Sequence, residues 1–208
     1  MTMSKFRSEL DKLLPSPVSR PFLCDGSPLD CSIFIVGTNS AREVEKPFWS
    51  FWSDSRGFNK AKYIRELEQL PRGLTKTRKN IEIVAGAAGQ AITLDTNIYL
   101  QPTPAEVELR KENKKTDVIE YLLKTIRPKV VLTHGVKAKK FFRKHCHDFV
   151  DDSVSPQKIA WDACQWQFHL LCSPHLGFRG RTNQAAAEEA ERIGQALADA
   201  LRLSTPTR

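Results

Sequence analysis

The chain has 208 residues, of which 40% are hydrophobic, and this length and composition suit one domain with a sizeable core. Its formal net charge of +8 favours a polyanionic partner, with nucleic acid first. No apolar run approaches the roughly 20 residues that span a bilayer, so we expect no membrane partner.

The five cysteines contain no Cys-x-x-Cys pair and lack the close spacing of metal or iron–sulfur ligands. The N-terminal segment is charged and has no apolar signal-peptide core. We therefore expect a cytoplasmic monomer with reduced thiols, no metal and no other cofactor.

The predicted organisation is one domain with short additions at both ends. Residues 1–30 are punctuated by four prolines and predict an arm that begins with a helix near 5–14 and packs on the domain. Residues 31–203 predict the single domain itself, and residues 204–208 a short tail.

Strands and helices alternate along the domain. Apolar runs predict strands at residues 32–36, 81–85, 93–100, 130–133 and 168–172. Caps and helical periodicity predict helices at residues 59–69, 117–126, 136–145 and 185–201. This alternation predicts an α/β fold, a three-layer α/β/α sandwich with a largely parallel central sheet.

Polar side chains follow several of the predicted strands. Asn39, Asn97 and His175 lie at or near strand ends, and His134 also follows a strand. Because ligands of open parallel sheets bind at the carboxyl ends of the strands, we expect a site there that reads and cleaves something polar and planar.

The basic residues are clustered, which suits contact with a phosphate backbone better than random scatter does. The clusters are Arg72, Lys76, Arg78 and Lys79; Lys111, Lys114 and Lys115; and Lys137, Lys139, Lys140, Arg143 and Lys144.

Four motifs in order carry a resemblance to a known family. Gly37-Thr38-Asn39-Ser40-Ala41 is similar to Gly-x-Asn-Pro-Gly, and residues 96–104 are similar to a Thr-Asn-Val-Val motif with a following Pro-Pro. Residues 127–138 resemble a Pro-Lys-Val-Val strand with its Gly-x-x-Ala turn, and Pro174-His175-Leu176-Gly177 occupies the place of a His-Pro-Ser motif. Over roughly residues 30–203 the chain thus resembles the uracil-DNA glycosylase superfamily, with motif one closest to its single-strand-selective and mismatch-specific branches.

The resemblance implies a role for each strand-end residue. Asn39 would position the attacking water, Asn97 would read the edge of a pyrimidine, and His175 would donate to the oxyanion that develops on the base. Gly37 and Thr38 would line the same pocket. His134 is a competitor for His175, but it adjoins the Gly-x-x-Ala turn, where helix packing is the usual role.

Further residues are expected to hold the base and the DNA. Phe48 or Phe51 would stack on the base, and Phe178 would fill the gap that a flipped base leaves. Arg179, Arg181 and Lys137 would contact phosphates. Core packing is the alternative for the aromatic residues, local backbone bonding for the two asparagines, and a solvated loop for residues 178–181.

The sequence leaves three functions open. The first is a metal-free DNA glycosylase that acts on uracil or another deaminated base. The second is a catalytically weak or inactive nucleic-acid-binding protein of the same fold, since Ser40 and Ala41 replace the Pro and Gly of motif one. The third is a nucleotide-processing α/β enzyme whose Gly37 loop and Gly135 helix hold phosphate.

Overall fold

A computed structural model describes residues 1–42, 44–103, 109–147, 149, 155–161 and 166–204. The α-helices in these residues are α1 Met3–Asp11, α2 Lys60–Gln69, α3 Lys76–Ala88, α4 Asp117–Ile126, α5 Val136–His145 and α6 Asn183–Leu203. The strands are β1 Ile33–Gly37, β2 Trp52–Ser53, β3 Gly57–Phe58, β4 Thr93–Asn97, β5 Val130–His134, β6 Cys146–His147, β7 Gln157–Trp161 and β8 Trp166–Ser173. Pro104 of the second motif, Cys164 and residues 205–208 of the predicted tail lie outside the described residues.

The central sheet has the strand order β4-β1-β5-β8-β7-β6. The four strands β4, β1, β5 and β8 are parallel, whereas β7 and the two-residue β6 are antiparallel to their neighbours. The register pairs Gly37 with Asn97 and His134 with Ser173. The carboxyl ends of the parallel strands therefore reach one edge of the sheet.

Side chains alternate across β1 and supply both faces of the sheet with apolar groups. Phe34 and Val36 pack into a core with α1, α4, α5 and the aromatic residues of the 48–58 segment. Ile33 and Ile35 pack into a second core beneath α3 and α6. Because both faces are covered by helices, the fold is a three-layer α/β/α sandwich, as the alternation of elements predicts.

The arm packs closely on the domain. Phe6, Leu10 and Phe22 have no exposed surface and belong to the first core. The backbone of Leu23 exchanges two hydrogen bonds with Asp95 on β4, at 2.7 and 2.8 Å. The arm therefore covers the outer edge of β4, which would otherwise present unpaired backbone groups.

Local sequence explains most of the helix boundaries. The side chain of Asn59 accepts a hydrogen bond from the backbone of Lys62 at 2.8 Å at the start of α2, and Thr75 and Thr182 cap α3 and α6 in the same way. The predicted helices at 117–126 and 136–145 have the observed bounds.

The prediction of a strand at residues 81–85 is wrong, because this segment lies inside α3. Its buried residues Ile81, Val84, Ala85 and Ala88 follow the three- and four-residue spacing of a helix face. The helix begins five residues earlier, in a basic stretch that carries no apolar signal. The strand β7 and the β2–β3 hairpin were not predicted either.

Replacing Gly194 with alanine is expected to lower the free energy of unfolding by about 1–3 kcal/mol. A Cβ atom there would lie 2.5 Å from the carbonyl oxygen of Val84 and 2.6 Å from Cβ of Ala87, because α3 and α6 pack at this point. Gly86→Ala on α3 is the matched control, since its Cβ would meet nothing within 4 Å. Its expected effect is a gain of about 0.5–1 kcal/mol from helix propensity. Urea denaturation measures both, and equal effects would contradict the packing argument.

No helix in the described residues is both long and apolar enough to cross a membrane.

Candidate active site at the carboxyl edge of the sheet

The topology opens a crevice between β1 and β5. The chain leaves β1 for its neighbour β4 on one side, and it leaves β5 towards β8 on the other side. Ligands of open α/β sheets bind where the connections diverge in this way, outside the carboxyl ends of the strands. The segments after β1, β4, β5 and β8 therefore form the candidate site.

Asn39 lies on the loop that follows β1. Its Nδ2 donates hydrogen bonds to Oγ1 of Thr103 at 2.8 Å and to the carbonyl oxygen of Ser40 at 3.1 Å. The backbone of Thr103 donates in turn to the Ser40 carbonyl oxygen at 2.9 Å, so this loop and the segment after β4 are joined. These bonds use the donor end of the amide, and Oδ1 is the end that remains to accept a hydrogen bond from water.

Gly37 forms the floor of the crevice. A Cβ atom at this position would lie 2.7 Å from Nε2 of His134 and 2.8 Å from Oδ1 of Asn97. The two side chains, from β5 and β4, therefore converge above β1, which a larger residue at 37 would prevent. Asn97 is 8% exposed and His134 is 4% exposed.

Both floor side chains carry polar atoms without a hydrogen-bond partner among the described residues. Nδ1 of His134 is buried and has no hydrogen-bond partner in the described part of the chain. The hydrogen bonds formed within the described residues do not involve the Asn97 amide either. A buried polar group without a partner costs about 1–3 kcal/mol, so the pair indicates a place for water or a ligand.

The His134 ring is neutral at physiological pH. Burial, and then the positive charge of His175, lower its pKa to about 3, with Asp95 opposing and Arg78 adding to the shift. A neutral ring offers one donor and one acceptor.

His175 forms the wall of the crevice. It is exposed, and its ring centroid lies 5.5 Å from that of His134 with the planes at 67°. The backbone N–H of Gly177 donates to Nδ1 of His175 at 3.0 Å. The neutral His175 ring therefore carries its proton on Nε2, where it is a hydrogen-bond donor. A Cβ at Gly135 would lie 3.7 Å from His175 and 3.9 Å from Oγ1 of Thr38, so these groups border the same space.

A buried ion-pair network lies beneath the floor. Arg78 of α3 forms two hydrogen bonds of 2.8 Å to the carboxylate of Asp95 on β4, and Arg20 of the arm adds a third at 3.0 Å. Arg78 also contacts Glu82 at 3.0 Å, and Lys60 pairs with Glu82 at 2.8 Å. Burial alone would raise the pKa of Asp95, but the two guanidinium groups hold it well below its usual range.

Five of the predicted site residues lie together at the carboxyl edge of the sheet. They are Gly37, Thr38, Asn39, Asn97 and His175.

The predicted aromatic contacts lie in the cores instead. Phe48 has no exposed surface and stacks on Phe58 with 4.7 Å between centroids, and Phe51 is 2% exposed. Phe178 is 5% exposed and packs in the second core. A ring with no free face cannot stack on a base or enter a duplex without repacking. Phe48 and Phe51 therefore correspond to the core alternative, whereas Phe178 is a core residue and not part of a solvated loop.

The predicted phosphate contacts are at the surface. Arg179, Arg181 and Lys137 are exposed. Arg181 lies over the ring of Phe178 at 5.4 Å and pairs with Glu189 at 3.5 Å.

Two features of the site were missed or underrated in the sequence. His134 was set aside as a helix-packing residue, although its position at a strand end was a signal for the pocket. Thr77 comes from α3, and its Oγ1 would lie 3.1 Å from a Cβ at Gly177. The mistaken strand at 81–85 concealed that the start of α3 reaches this edge.

The free energy of unfolding is expected to fall on acidification below about pH 6.5, because His134 stays neutral in the fold. Its pKa is lowered to about 3. The unfolded chain therefore binds one proton more between these pH values, and the loss approaches about 1.4 kcal/mol per pH unit. Urea denaturation at several pH values measures the slope, which should be shallower in His134→Gln, where no ring titrates. Identical slopes for the two proteins would contradict a buried neutral His134.

No protein-family model matches the sequence, and no curated protein matches it. Inference about function therefore depends on the residues of the site and on their geometry.

Proposed function

We propose that the protein is a DNA glycosylase that hydrolyses the N-glycosidic bond of uracil or another deaminated base. One observation carries the proposal: the buried Asn97 amide, which forms no side-chain hydrogen bond within the described residues, lies at the same sheet edge as the Nε2 donor of His175 and the Oδ1 acceptor of Asn39. Base reading, leaving-group stabilisation and water positioning require these three kinds of group. The resemblance to the uracil-DNA glycosylase superfamily assigns the same roles to the same residues.

The chemistry follows from where charge develops. Breaking the C1′–N bond leaves its electron pair on the base and positive charge on the sugar. His175 donates from Nε2 to a carbonyl oxygen of the base, where the negative charge accumulates. Asn97 reads the base, since its amide can accept from a ring N–H and donate to a neighbouring carbonyl.

Water completes the reaction at C1′. Oδ1 of Asn39 accepts a hydrogen bond from this water and orients its oxygen towards the sugar. An amide is a poor base, so the water loses its proton to solvent only as its bond to the cationic sugar forms. Asn39 thus positions the nucleophile without activating it, and the reaction is slower than with a carboxylate in its place.

DNA is the proposed macromolecular partner. The formal net charge is +8, and α5 presents a series of cations directly after Gly135 at the edge of the crevice. Lys137, Lys140 and Lys144 are exposed on this helix. Phosphate contacts by such residues release counterions, so we expect affinity for DNA to fall steeply with salt. The four described cysteines form no disulfide with one another, as in a protein of a reducing compartment such as the cytoplasm.

Base release from oligonucleotides tests the proposal. Single-stranded and duplex substrates with one uracil, hypoxanthine or xanthine are incubated with the protein, and alkali then cleaves the abasic sites. We expect product from at least one lesion, and its loss in Asn39→Ala and His175→Ala. His169→Ala is the matched control, because His169 lies opposite Val130 at the start of β5 and pairs with Ser204 at 2.7 Å. Absence of product from every lesion at high protein concentration overturns the proposal.

The bonding of Asn39 favours a second function, a DNA-binding protein of this fold with little or no activity. Its Nδ2 is held by Thr103 and Ser40. The side chain also carries no negative charge that would offset the positive charge developing on the sugar. Salt-sensitive binding to DNA that contains a lesion, without base release, would support this function.

A further inference from the structure

Two buried polar side chains, Asn97 and His134, meet above Gly37, and neither forms a side-chain hydrogen bond within the described residues. Asn97 is 8% exposed and His134 is 4% exposed. Buried polar groups in folded proteins are almost always hydrogen-bonded, so an open pair at a strand-end crevice points to a ligand. Asn97 is already assigned to base reading, whereas His134 has no role in the proposed chemistry.

The surroundings of His134 decide which ring nitrogen carries the proton. Nδ1 is buried and has no partner in the described part of the chain, so a proton there would be a buried donor without an acceptor. Nε2 faces the point above Gly37, close to Oδ1 of Asn97. A neutral ring with its proton on Nε2 leaves no donor stranded, and it directs an N–H into the pocket.

The order of the strands sets the order of the polar groups. Strands β4, β1, β5 and β8 are adjacent, so Asn97, Gly37, His134 and His175 follow one another along the edge. Neighbouring strands are about 4.8 Å apart. A planar base above Gly37 therefore meets Asn97 on one side and the two histidines on the other.

This order fits a base whose ring N–H lies between two carbonyl groups. Asn97 can accept from the N–H and donate to the first carbonyl. The second carbonyl then faces His134 and His175, and its oxygen has two lone pairs, so it can accept from both Nε2 atoms.

We propose that His134 is a specificity-determining residue that donates a hydrogen bond from Nε2 to the second carbonyl of the flipped base. The inference rests on the proposed glycosylase function and names its substrate class, which includes uracil and xanthine. Hypoxanthine has one carbonyl beside its ring N–H and a C–H on the other side, so it leaves the His134 donor without an acceptor.

The first test uses free bases and needs no catalysis. Ring nitrogen signals of ¹⁵N-labelled histidines are followed by NMR during titration with uracil or with 4(3H)-pyrimidinone, which lacks the 2-carbonyl. We expect uracil to shift the Nε2 signal of His134 and the pyrimidinone to bind at least about tenfold more weakly. Equal affinities, or His134 signals that move with neither base while the His175 signals respond, would overturn the inference.

The second test measures base release under single-turnover conditions from matched duplexes with uracil or hypoxanthine. We expect His134→Phe, which keeps a ring but has no donor, to lower the uracil-to-hypoxanthine rate ratio about tenfold. His134→Gln retains an N–H donor and should restore most of the ratio. His169→Phe is the control, since His169 lies near the other end of β8 and pairs with Ser204 at 2.7 Å.

The outcomes separate this inference from the function on which it rests. Base release with a ratio that does not change in His134→Phe overturns the role of His134 and leaves the glycosylase function standing. No base release, together with uracil-dependent shifts at His134, overturns the glycosylase function and supports the base contact.

Discussion

Asp95→Asn is expected to lower the free energy of unfolding by about 3–5 kcal/mol, because it removes one partner from a buried ion-pair network. Arg20 and Arg78 are 5% and 9% exposed, so the two guanidinium groups that bind Asp95 have little access to water. Asparagine keeps the size of the side chain but removes the negative charge. Arg78 retains Glu82, whereas Arg20 loses the carboxylate that balances it at 3.0 Å. Urea denaturation at neutral pH measures the loss.

The matched control is Glu66→Gln, which makes the same carboxylate-to-amide change at the surface. Glu66 pairs with Lys46 at 2.6 Å, and the Lys46 side chain is 57% exposed. Exposed pairs contribute at most about 1 kcal/mol, so this variant should remain close to the wild type. If the two variants lost the same stability, burial of the network would not be the source of its contribution.

The sequence predicted the architecture because apolar runs and turn residues are local signals. The strand before Gly37 is buried on both faces, and its unbroken apolar run indicates this. Helices α4 and α5 have helical periodicity and clear ends, at Arg127-Pro128 for the first and Gly135 for the second. The strand prediction at 81–85 failed because a short segment with four apolar residues and Glu82 satisfies the helix and strand patterns alike.

Part of the site could be predicted from the sequence because the parallel arrangement of the strands could be. Parallel strands bring their carboxyl ends together, so the proximity of Asn39, Asn97 and His175 follows from the predicted sheet alone. The convergence of Asn97 and His134 over Gly37 does not, because it depends on the strand order β4-β1-β5 and on the absence of a side chain at Gly37.

The features that could not be predicted from the sequence depend on contacts between residues far apart in the chain. Asp95 is the single acid of β4, and its partners lie 17 and 75 residues away in the chain. Phe48 and Trp49 are adjacent aromatic residues, yet Phe48 is fully buried and Trp49 is not. Adjacent aromatic residues look alike in the sequence. Which of them is buried depends on how the arm and the β2–β3 hairpin pack around them.

His175→Ala is expected to lower the single-turnover rate of base release about 10²–10³-fold, the loss that follows removal of one donor to a developing oxyanion. The affinity for substrate DNA should change much less, because the donor acts on charge that appears only as the C1′–N bond breaks. Rapid-quench kinetics at saturating protein measures the rate, and fluorescence anisotropy measures the affinity. His169→Ala, on the strand β8 that precedes His175, is the matched control and should retain the wild-type rate.

A second replacement of His175 distinguishes loss of the hydrogen-bond donor from a change in the conformation of the loop. The bond from the Gly177 N–H to Nδ1 of His175 helps to hold residues 175–177, so alanine could act by disturbing them. In His175→Asn, a side-chain carbonyl oxygen can replace Nδ1 as acceptor, while the remaining NH₂ group can donate from nearly the position of the ring. We expect this variant to recover at least about tenfold of the lost rate. A rate as low as that of His175→Ala, with unchanged DNA affinity and stability, would mean that His175 acts through more than one donated hydrogen bond.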